Sequence, residues 1–352
     1  MGYHARPLAQ PVPRRTLASL CASSLLLGAC ALAQPTATTP ASLTPELTRT
    51  LGATNCPPGQ CATATLNSPT AAATVPASVT PIQPVATPAC FFLSLEWPIS
   101  QPGASIDVTY RFGSTQEGQR EPHHGVEIPS PSGTPVVAPA AGRVEFAGQD
   151  REEQLGPYTG FYGNVVVLAL DTLPAEGPVF LLFGHLSQID VHTGQWVGAG
   201  ESLGRVGSSG VAIGAHLHFE VRAGANRYAS ALNPELWLVP RLAEGGAAGV
   251  LAGRAVTRSG TQAHGQQVTV RRLDDGTNGP RTVFLDTYDL EADTPGSDSL
   301  LRENFVLAGL PPGDYEVAAF SPSLRQQRVH VAAGVITWVA LEPGEAPPPC
   351  VR

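Results

Sequence analysis

Lysine is missing from this chain. Every positive side chain is arginine, and 21 of them stand against 29 acidic residues, for a formal charge of −8 over 352 residues. A carrier that holds biotin or lipoate on a lysine amine is therefore excluded. A nucleic-acid binder needs a basic surface, and this balance offers none. Charged residues make up only 14% and aromatics 6%, so no charged run or aromatic stripe dominates the pattern. No apolar run is long and clean enough for a spanning helix, which needs about 20 residues. Helical periodicity is scarce, and the paired, closely spaced cysteines of structural zinc modules are absent.

What is present begins with an export segment. Arg14-Arg15 precedes an apolar stretch from Leu17 to Ala33, the layout of a secretory signal over residues 1–33. Two exits are written into it: Leu27-Gly28-Ala29-Cys30 resembles a bacterial lipobox that would lipidate Cys30, and Ala31-Leu32-Ala33 is an A-x-A cleavage site. The mature protein would then be either an envelope-anchored lipoprotein or secreted. Residues 34–89 are rich in Ala, Thr, Pro and Ser, with few charges or aromatics. They cannot bury enough apolar surface to offset the entropy of ordering, so they read as a disordered linker. Outside the export segment lie Cys56, Cys61, Cys90 and Cys350, which permit three pairings under oxidising conditions. The neighbours Cys56 and Cys61 suggest a small local loop, and Cys90 and Cys350 would then pair.

From residue 90 to about 240 the chain alternates short apolar runs, such as Val165-Val166-Val167-Leu168 and Val179-Phe180-Leu181-Leu182-Phe183, with Gly, Pro and Asn turns. This predicts an antiparallel β-sheet domain, with a polar insert at 148–163 forming a loop at the rim of a groove. Three pieces of this region gather chemistry: His123-His124-Gly125-Val126-Glu127, Gly184-His185-Leu186 and His216-Leu217-His218. Side chains two apart on a strand share a face, so His216 pairs with His218, and His123 with Glu127 across Gly125. Five such groups allow three ligands and two acid-base residues, the make-up of a catalytic zinc site with its fourth position open. His124, next to His123, is expected on the opposite side of the strand. His4, His192, His264 and His330 read as ordinary surface or core histidines.

At these residues the sequence resembles the lysostaphin-type zinc endopeptidases, with their H-x-x-x-D, isolated His and H-x-H pattern. The resemblance starts near Leu95-Glu96-Trp97-Pro98, includes the glycine-punctuated pair around Gly194-Gln195-Trp196-Val197 and Gly200-Glu201-Ser202-Leu203-Gly204, and ends at Asn233-Pro234-Glu235-Leu236-Trp237. It implies one Zn2+ per chain held by His123, Glu127 and His218, with His185 and His216 unligated beside it as the catalytic pair. It also implies a substrate among the peptide bonds of bacterial peptidoglycan cross-links or cross-bridges. One position departs: Glu127 stands where the family has Asp. Its extra methylene carries the oxygens outward, against a tolerance of about 0.2 Å in metal distances, so the backbone or rotamer must compensate. If it does not, the alternative is a non-catalytic relative that binds peptidoglycan and activates another wall hydrolase.

Residues 249–341 show their own alternation, and Phe305-Val306-Leu307-Ala308-Gly309-Leu310-Pro311-Pro312-Gly313-Asp314-Tyr315 resembles the turn of carboxypeptidase regulatory-like, transthyretin-type β-sandwiches. In that resemblance Phe305 and Tyr315 plug the core, and the unit serves as spacer, stabiliser or wall-binding module. Residues 342–352 form a tail. The fold expected is all-β: an antiparallel β-sheet metallopeptidase domain followed by a β-sandwich.

Overall fold

Ten strands make the first half of the molecule: β1 (Val126–Pro129), β2 (Pro135–Val137), β3 (Gly142–Gln149), β4 (Asn164–Leu170), β5 (Val179–Gly184), β6 (Gln188–Ile189), β7 (Trp196–Val197), β8 (Ser202–Arg205), β9 (His216–Ala223) and β10 (Ala231–Leu232). The computed structural model describes residues 95–341 except 117, 172–176, 258–264, 274–281, 289–294, 300 and 321–322. The export segment, the linker and all six cysteines lie outside the described residues.

A seven-stranded antiparallel sheet runs in the order β1-β9-β5-β4-β3-β7, with β10 pairing to β9 at Val221 and Arg222, beyond the stretch that β1 covers, and β2, β8 and β6 form a small second sheet. The unbroken apolar runs of β4 and β5 have a physical reason: these strands are covered on both faces. Val166, Leu168, Leu181 and Phe183 enter the main core, while Val165, Val167 and Leu182 point the other way into a smaller cluster with Leu155 and Tyr162. Strands buried on both sides lose the in-out alternation of half-exposed ones. β9 keeps its alternation, with Leu217, Phe219 and Val221 in the main core and His216, His218, Glu220 and Arg222 on the opposite face.

The second half adds β11 (Gly249–Arg254), β12 (Gln267–Arg272), β13 (Thr282–Asp286), β14 (Phe305–Leu310), β15 (Gly313–Phe320), β16 (Leu324–Val331) and β17 (Ile336–Ala340). They form two sheets, β14-β11-β17 and β13-β12-β15-β16. All of their pairings are antiparallel except β11 with β17, which is parallel. The inner residues of both sheets, including Phe305, Tyr315, Val268 and Val317, share one core. The three-stranded sheet is buried on its other face as well, where Val250, Ala252, Val306, Ile336 and Trp338 join the main core alongside Leu95 and Trp237. Each large apolar side chain buried there contributes about 1.5–3 kcal/mol. The whole described chain falls within one compact unit, Pro76–Arg352.

Candidate metal centre

The register of the large sheet assembles the site. Glu127 on β1 lies directly opposite His218 on β9, and Gly184, the last residue of β5, lies opposite His218 on its other side. Cross-strand neighbours of this kind stand about 5 Å apart, so the carboxylate and the histidine after β5 are brought to one imidazole. His185 turns into the same space because its φ is +62°, a left-handed conformation uncommon for residues other than Gly, though less so for Asn, Asp and His. Gly125 makes the approach feasible from the other side. A Cβ there would meet the Phe219 carbonyl oxygen at 2.6 Å and His218 Nε2 at 2.9 Å.

All five side chains line one cavity of about 620 Å³. Three of their atoms converge: His123 Nε2 is 3.3 Å from His218 Nδ1 and 3.1 Å from Glu127 Oε1, which is itself 3.2 Å from His218 Nδ1. Ligand atoms about 2.0–2.1 Å from a tetrahedral centre stand roughly 3.3 Å from one another, so this triangle has the size a zinc ion requires. The group is also the one His/Cys/Asp/Glu cluster of metal-holding geometry among the described residues. Glu127 Oε2 and His216 Nε2 are in close contact at 2.5 Å, two buried atoms facing each other without the alignment of a hydrogen bond. A buried polar pair aligned this poorly leaves hydrogen-bonding capacity unmet, which is costly, and it sits beside the triangle. The longer carboxylate at position 127 therefore reaches both imidazoles, and the residues present fit the metal.

The remaining ring nitrogens are committed elsewhere, which fixes how each ring faces the cavity. His123 Nδ1 bonds the Tyr110 carbonyl at 2.9 Å, and its ring stacks on Tyr110 with centroids 4.0 Å apart. His218 Nε2 meets Glu220 Oε1 at 2.9 Å. Glu220 in turn takes a hydrogen bond from Arg222 Nε at 2.7 Å and one from the Tyr162 hydroxyl, and Arg222 donates on to the Leu155 carbonyl at 2.9 Å. Histidines that bind metal generally have such outer partners, which set the tautomer and the orientation of the ring. His185 Nδ1 is held by the Ser209 carbonyl at 2.8 Å, and its ring lies 4.9 Å from that of His216. His216 Nδ1 faces the Gly214 carbonyl at 3.2 Å.

Charge states follow from these surroundings. Burial alone would raise the Glu127 carboxyl, but contacts from His123, His216 and His218 outweigh it and hold the group well below the usual range. Burial lowers His123, and it lowers His185 to about 4, helped there by the neighbouring His218. For His218 burial is outweighed by Glu127 and Glu220, and the ring is raised to about 9. A position flanked by two carboxylates thus favours positive charge, as a proton or as a metal.

Sequence reasoning brought His123, Glu127, His185, His216 and His218 to one place, and the fold puts them there. It missed two features. The alternation His216-x-His218-x-Glu220-x-Arg222 was present in β9 and could have revealed the acid behind His218. His124 was expected on the far side of a strand, yet it is 2% exposed and lines the same cavity, stacked on Tyr228 with centroids 3.5 Å apart and bonded to the Tyr228 carbonyl at 2.9 Å. The reason is that β1 begins only at Val126, so strand alternation does not govern residues 123–125. Of the four histidines read as ordinary, His192 and His330 lie outside the cavity, and His4 and His264 are outside the described residues.

Residues 121–234 match the model of Peptidase family M23. Among curated proteins, the chain is 35% identical over 116 residues to "Cell division protein DipM" of Caulobacter vibrioides, covering 33% of this chain and 17% of that one. It is 39% identical over 100 residues to "DD-carboxypeptidase/endopeptidase Mpg" of Neisseria meningitidis, covering 28% and 20%. It is 31% identical over 103 residues to "Peptidoglycan DD-endopeptidase ShyC" of Vibrio cholerae, covering 29% and 21%. The chain thus spans about a fifth of these relatives' lengths. Among solved structures, the catalytic domain of the antimicrobial peptidase lysostaphin from Staphylococcus simulans aligns at 26% identity with a TM-score of 0.30, covering 37% of this chain and 89% of that one. No helix among the described residues is long and apolar enough to cross a membrane. The stretch that carries the His-Glu-His cluster is therefore supported as a Peptidase family M23 domain, of the lysostaphin-type metallopeptidases.

Proposed function

We propose that this protein is an exported zinc endopeptidase that hydrolyses peptide bonds in the cross-links or cross-bridges of bacterial peptidoglycan. In this reading residues 90–240 form the peptidase domain and 249–341 a carboxypeptidase regulatory-like β-sandwich. One zinc ion would be held by His123, Glu127 and His218, whose Nε2, Oε1 and Nδ1 atoms converge. The observation that carries the reading is the triangle of those three atoms, with the close contact of His216 Nε2 and Glu127 Oε2 beside it. The domain match and the wall-hydrolase names among the relatives supply the substrate class.

Zinc bound there supplies Lewis acidity, which makes water more acidic and polarises a carbonyl. The chain's own residues do the rest. His185, kept neutral by burial, offers Nε2 to the cavity as a proton acceptor while the Ser209 carbonyl fixes its other nitrogen. His216, whose ring lies 4.9 Å from that of His185, steadies developing negative charge. Between them the pair carries a proton to the leaving amine, as positioned acid-base groups do. Glu220 and the Tyr110 carbonyl hold the two ligand imidazoles in orientation. The exit route from the cell, as a lipoprotein through Cys30 or in secreted form, rests on the export segment alone.

A non-catalytic relative is disfavoured by the reach of Glu127 to both imidazoles, because the Glu for Asp exchange was the feature that favoured it. The test is to incubate the purified full-length protein, loaded with zinc, with purified peptidoglycan and to analyse the released fragments by mass spectrometry. New amino and carboxyl termini within the peptide portion are expected; release of none by a zinc-loaded protein overturns the reading.

A further inference from the structure

The groove wall that carries Tyr110 lies before the matched domain, and the sheets of the second half clasp it. The segment from Asp107 to His123 loops out ahead of β1 and returns to it. Gly113 N–H to the His123 carbonyl at 2.7 Å and His123 N–H to the Ser114 carbonyl at 3.1 Å close the loop on itself, turn bonds such as Ser114 N–H to the Arg111 carbonyl at 3.0 Å shape its tip, and Asp107 N–H to the Glu127 carbonyl at 2.9 Å ties it to β1. Tyr110 lines the cavity and, through its carbonyl, fixes His123.

The next three residues are gripped from outside. Arg111 Nη1 donates to Glu235 Oε2 at 2.5 Å, and that same oxygen accepts the backbone N–H of Ala308 on β14 at 2.8 Å. Phe112, 3% exposed, meets the ring of Tyr288 edge-on with centroids 5.1 Å apart. Gly113, at φ +76°, passes so close to Tyr288 that a Cβ on it would lie 2.3 Å from the tyrosine Cβ. Tyr288 is itself fixed, by its N–H to the Asn304 carbonyl at 2.8 Å and by its hydroxyl to Glu303 Oε1 at 2.8 Å.

From this arrangement we infer that the second half of the chain is a working part of the catalytic groove: Tyr288, and Glu235 of the peptidase half as braced by the Ala308 amide of β14, act as positioning residues that hold the Tyr110–Gly113 wall and, through the Tyr110 carbonyl, aim the imidazole of His123. This rests on the zinc reading above. It gives the second half of the chain a role at the site itself, distinct from that of a spacer or a separate wall-binding module. Outer-shell groups that orient a ligand histidine typically change metal affinity by about 10- to 100-fold when lost. The clasp lies one step further out, so its loss is expected near the lower end.

The experiment uses the full-length chain in three variants. Tyr288→Leu removes the ring from Phe112 and Gly113. Glu235→Gln keeps the shape but removes the charge that holds Arg111. Val317→Ala loosens the C-terminal core, where Val317 is fully buried, without touching the segment. Zinc affinity is measured by chelator competition, and hydrogen exchange is followed at the amides of Gly113 and His123 and, for reference, in β4 and β5. Tyr288→Leu and Glu235→Gln are expected to lower zinc affinity about tenfold and to speed exchange at Gly113 and His123 while β4 and β5 stay protected. Val317→Ala should leave zinc affinity at the parent value. If Tyr288→Leu does not fold, Glu235→Gln decides alone. Affinity within twofold of the parent for the clasp variants, or an equal loss in Val317→Ala, overturns the inference. If the parent binds no zinc, the peptidase reading fails instead, and the exchange at Gly113 and His123 still decides whether the clasp holds the wall.

Discussion

Two groups of mostly buried polar side chains sit in this molecule, and each contains a glutamate. At the junction of the two halves, Glu303 accepts the Tyr288 hydroxyl at 2.8 Å and the Asp298 N–H on both oxygens, at 3.1 and 3.2 Å. Burial and the nearby Asp298 push its carboxyl up to about 8, so near neutrality it is largely protonated and the group closes on itself. In the cavity, Glu127 is held anionic by three histidines, and its second oxygen faces His216 Nε2 at 2.5 Å without the alignment of a hydrogen bond. The first arrangement is complete as built and behaves as a joint. The second carries net charge and unspent hydrogen-bonding capacity, which is what a ligand site needs before its ligand arrives.

The sharpest way to break this contrast is to remove a converging atom. His218→Ala is expected to take zinc content from one ion per chain to almost none, as metal analysis of the purified protein would report; undiminished zinc would mean that His218 is not a ligand. His185→Ala and His216→Ala probe the other half of the same cavity. Both should keep the metal and lose about 100- to 10,000-fold in peptidoglycan release, and loss of metal in His216→Ala would move that residue into the ligand set.

Glu220→Gln lies between the two kinds of site, because Glu220 is fully buried yet serves the cavity through His218. It leaves Arg222 without its carboxylate, and breaking a buried pair costs about 3–5 kcal/mol. Denaturant unfolding should show that loss, together with zinc affinity lowered about 10- to 100-fold. A variant that lost stability but bound zinc as tightly as the parent would place Glu220 with the joint. At the joint itself the effect is expected on stability alone. A glutamate whose carboxyl titrates near 8 when folded and near 4.3 when unfolded binds its proton more tightly in the native state across that interval, so stability should fall as pH rises from about 5 to 8 and level off above. Glu303→Gln should flatten that slope in thermal unfolding measured across pH, and an unchanged slope would show that Glu303 is already ionised.

How far the sequence disclosed these regions follows from the range of the interactions. The histidines and Glu127 were legible because a compact motif encodes them locally, with strand alternation adding His216 and His218 on β9, and β4 and β5 were legible as apolar runs between turn residues. The Arg111–Glu235 pair and the Phe112–Tyr288 contact span more than a hundred positions each and carry no local periodicity. Phe112 and Tyr288 read individually as ordinary core aromatics, and nothing in their neighbourhoods says that they meet. Glu220 was hidden for another reason: its charge suggests solvent, and it takes the arginine two residues on, together with His218 and the Tyr162 hydroxyl, to compensate it inside the protein. His124 was misplaced because a rule for strands was applied just before a strand begins.

The left-handed backbone at His185 has a consequence for anyone who evolves this protein in the laboratory. Holding a residue with a Cβ in that conformation costs about 1–2 kcal/mol, and glycine or asparagine would relieve it. A library varied at position 185 and selected only for heat resistance would therefore enrich replacements that settle the turn and discard the imidazole. Selection for robustness and selection for wall cleavage would pull the same codon in opposite directions, as expected where a fold keeps strain in order to aim a reactive group.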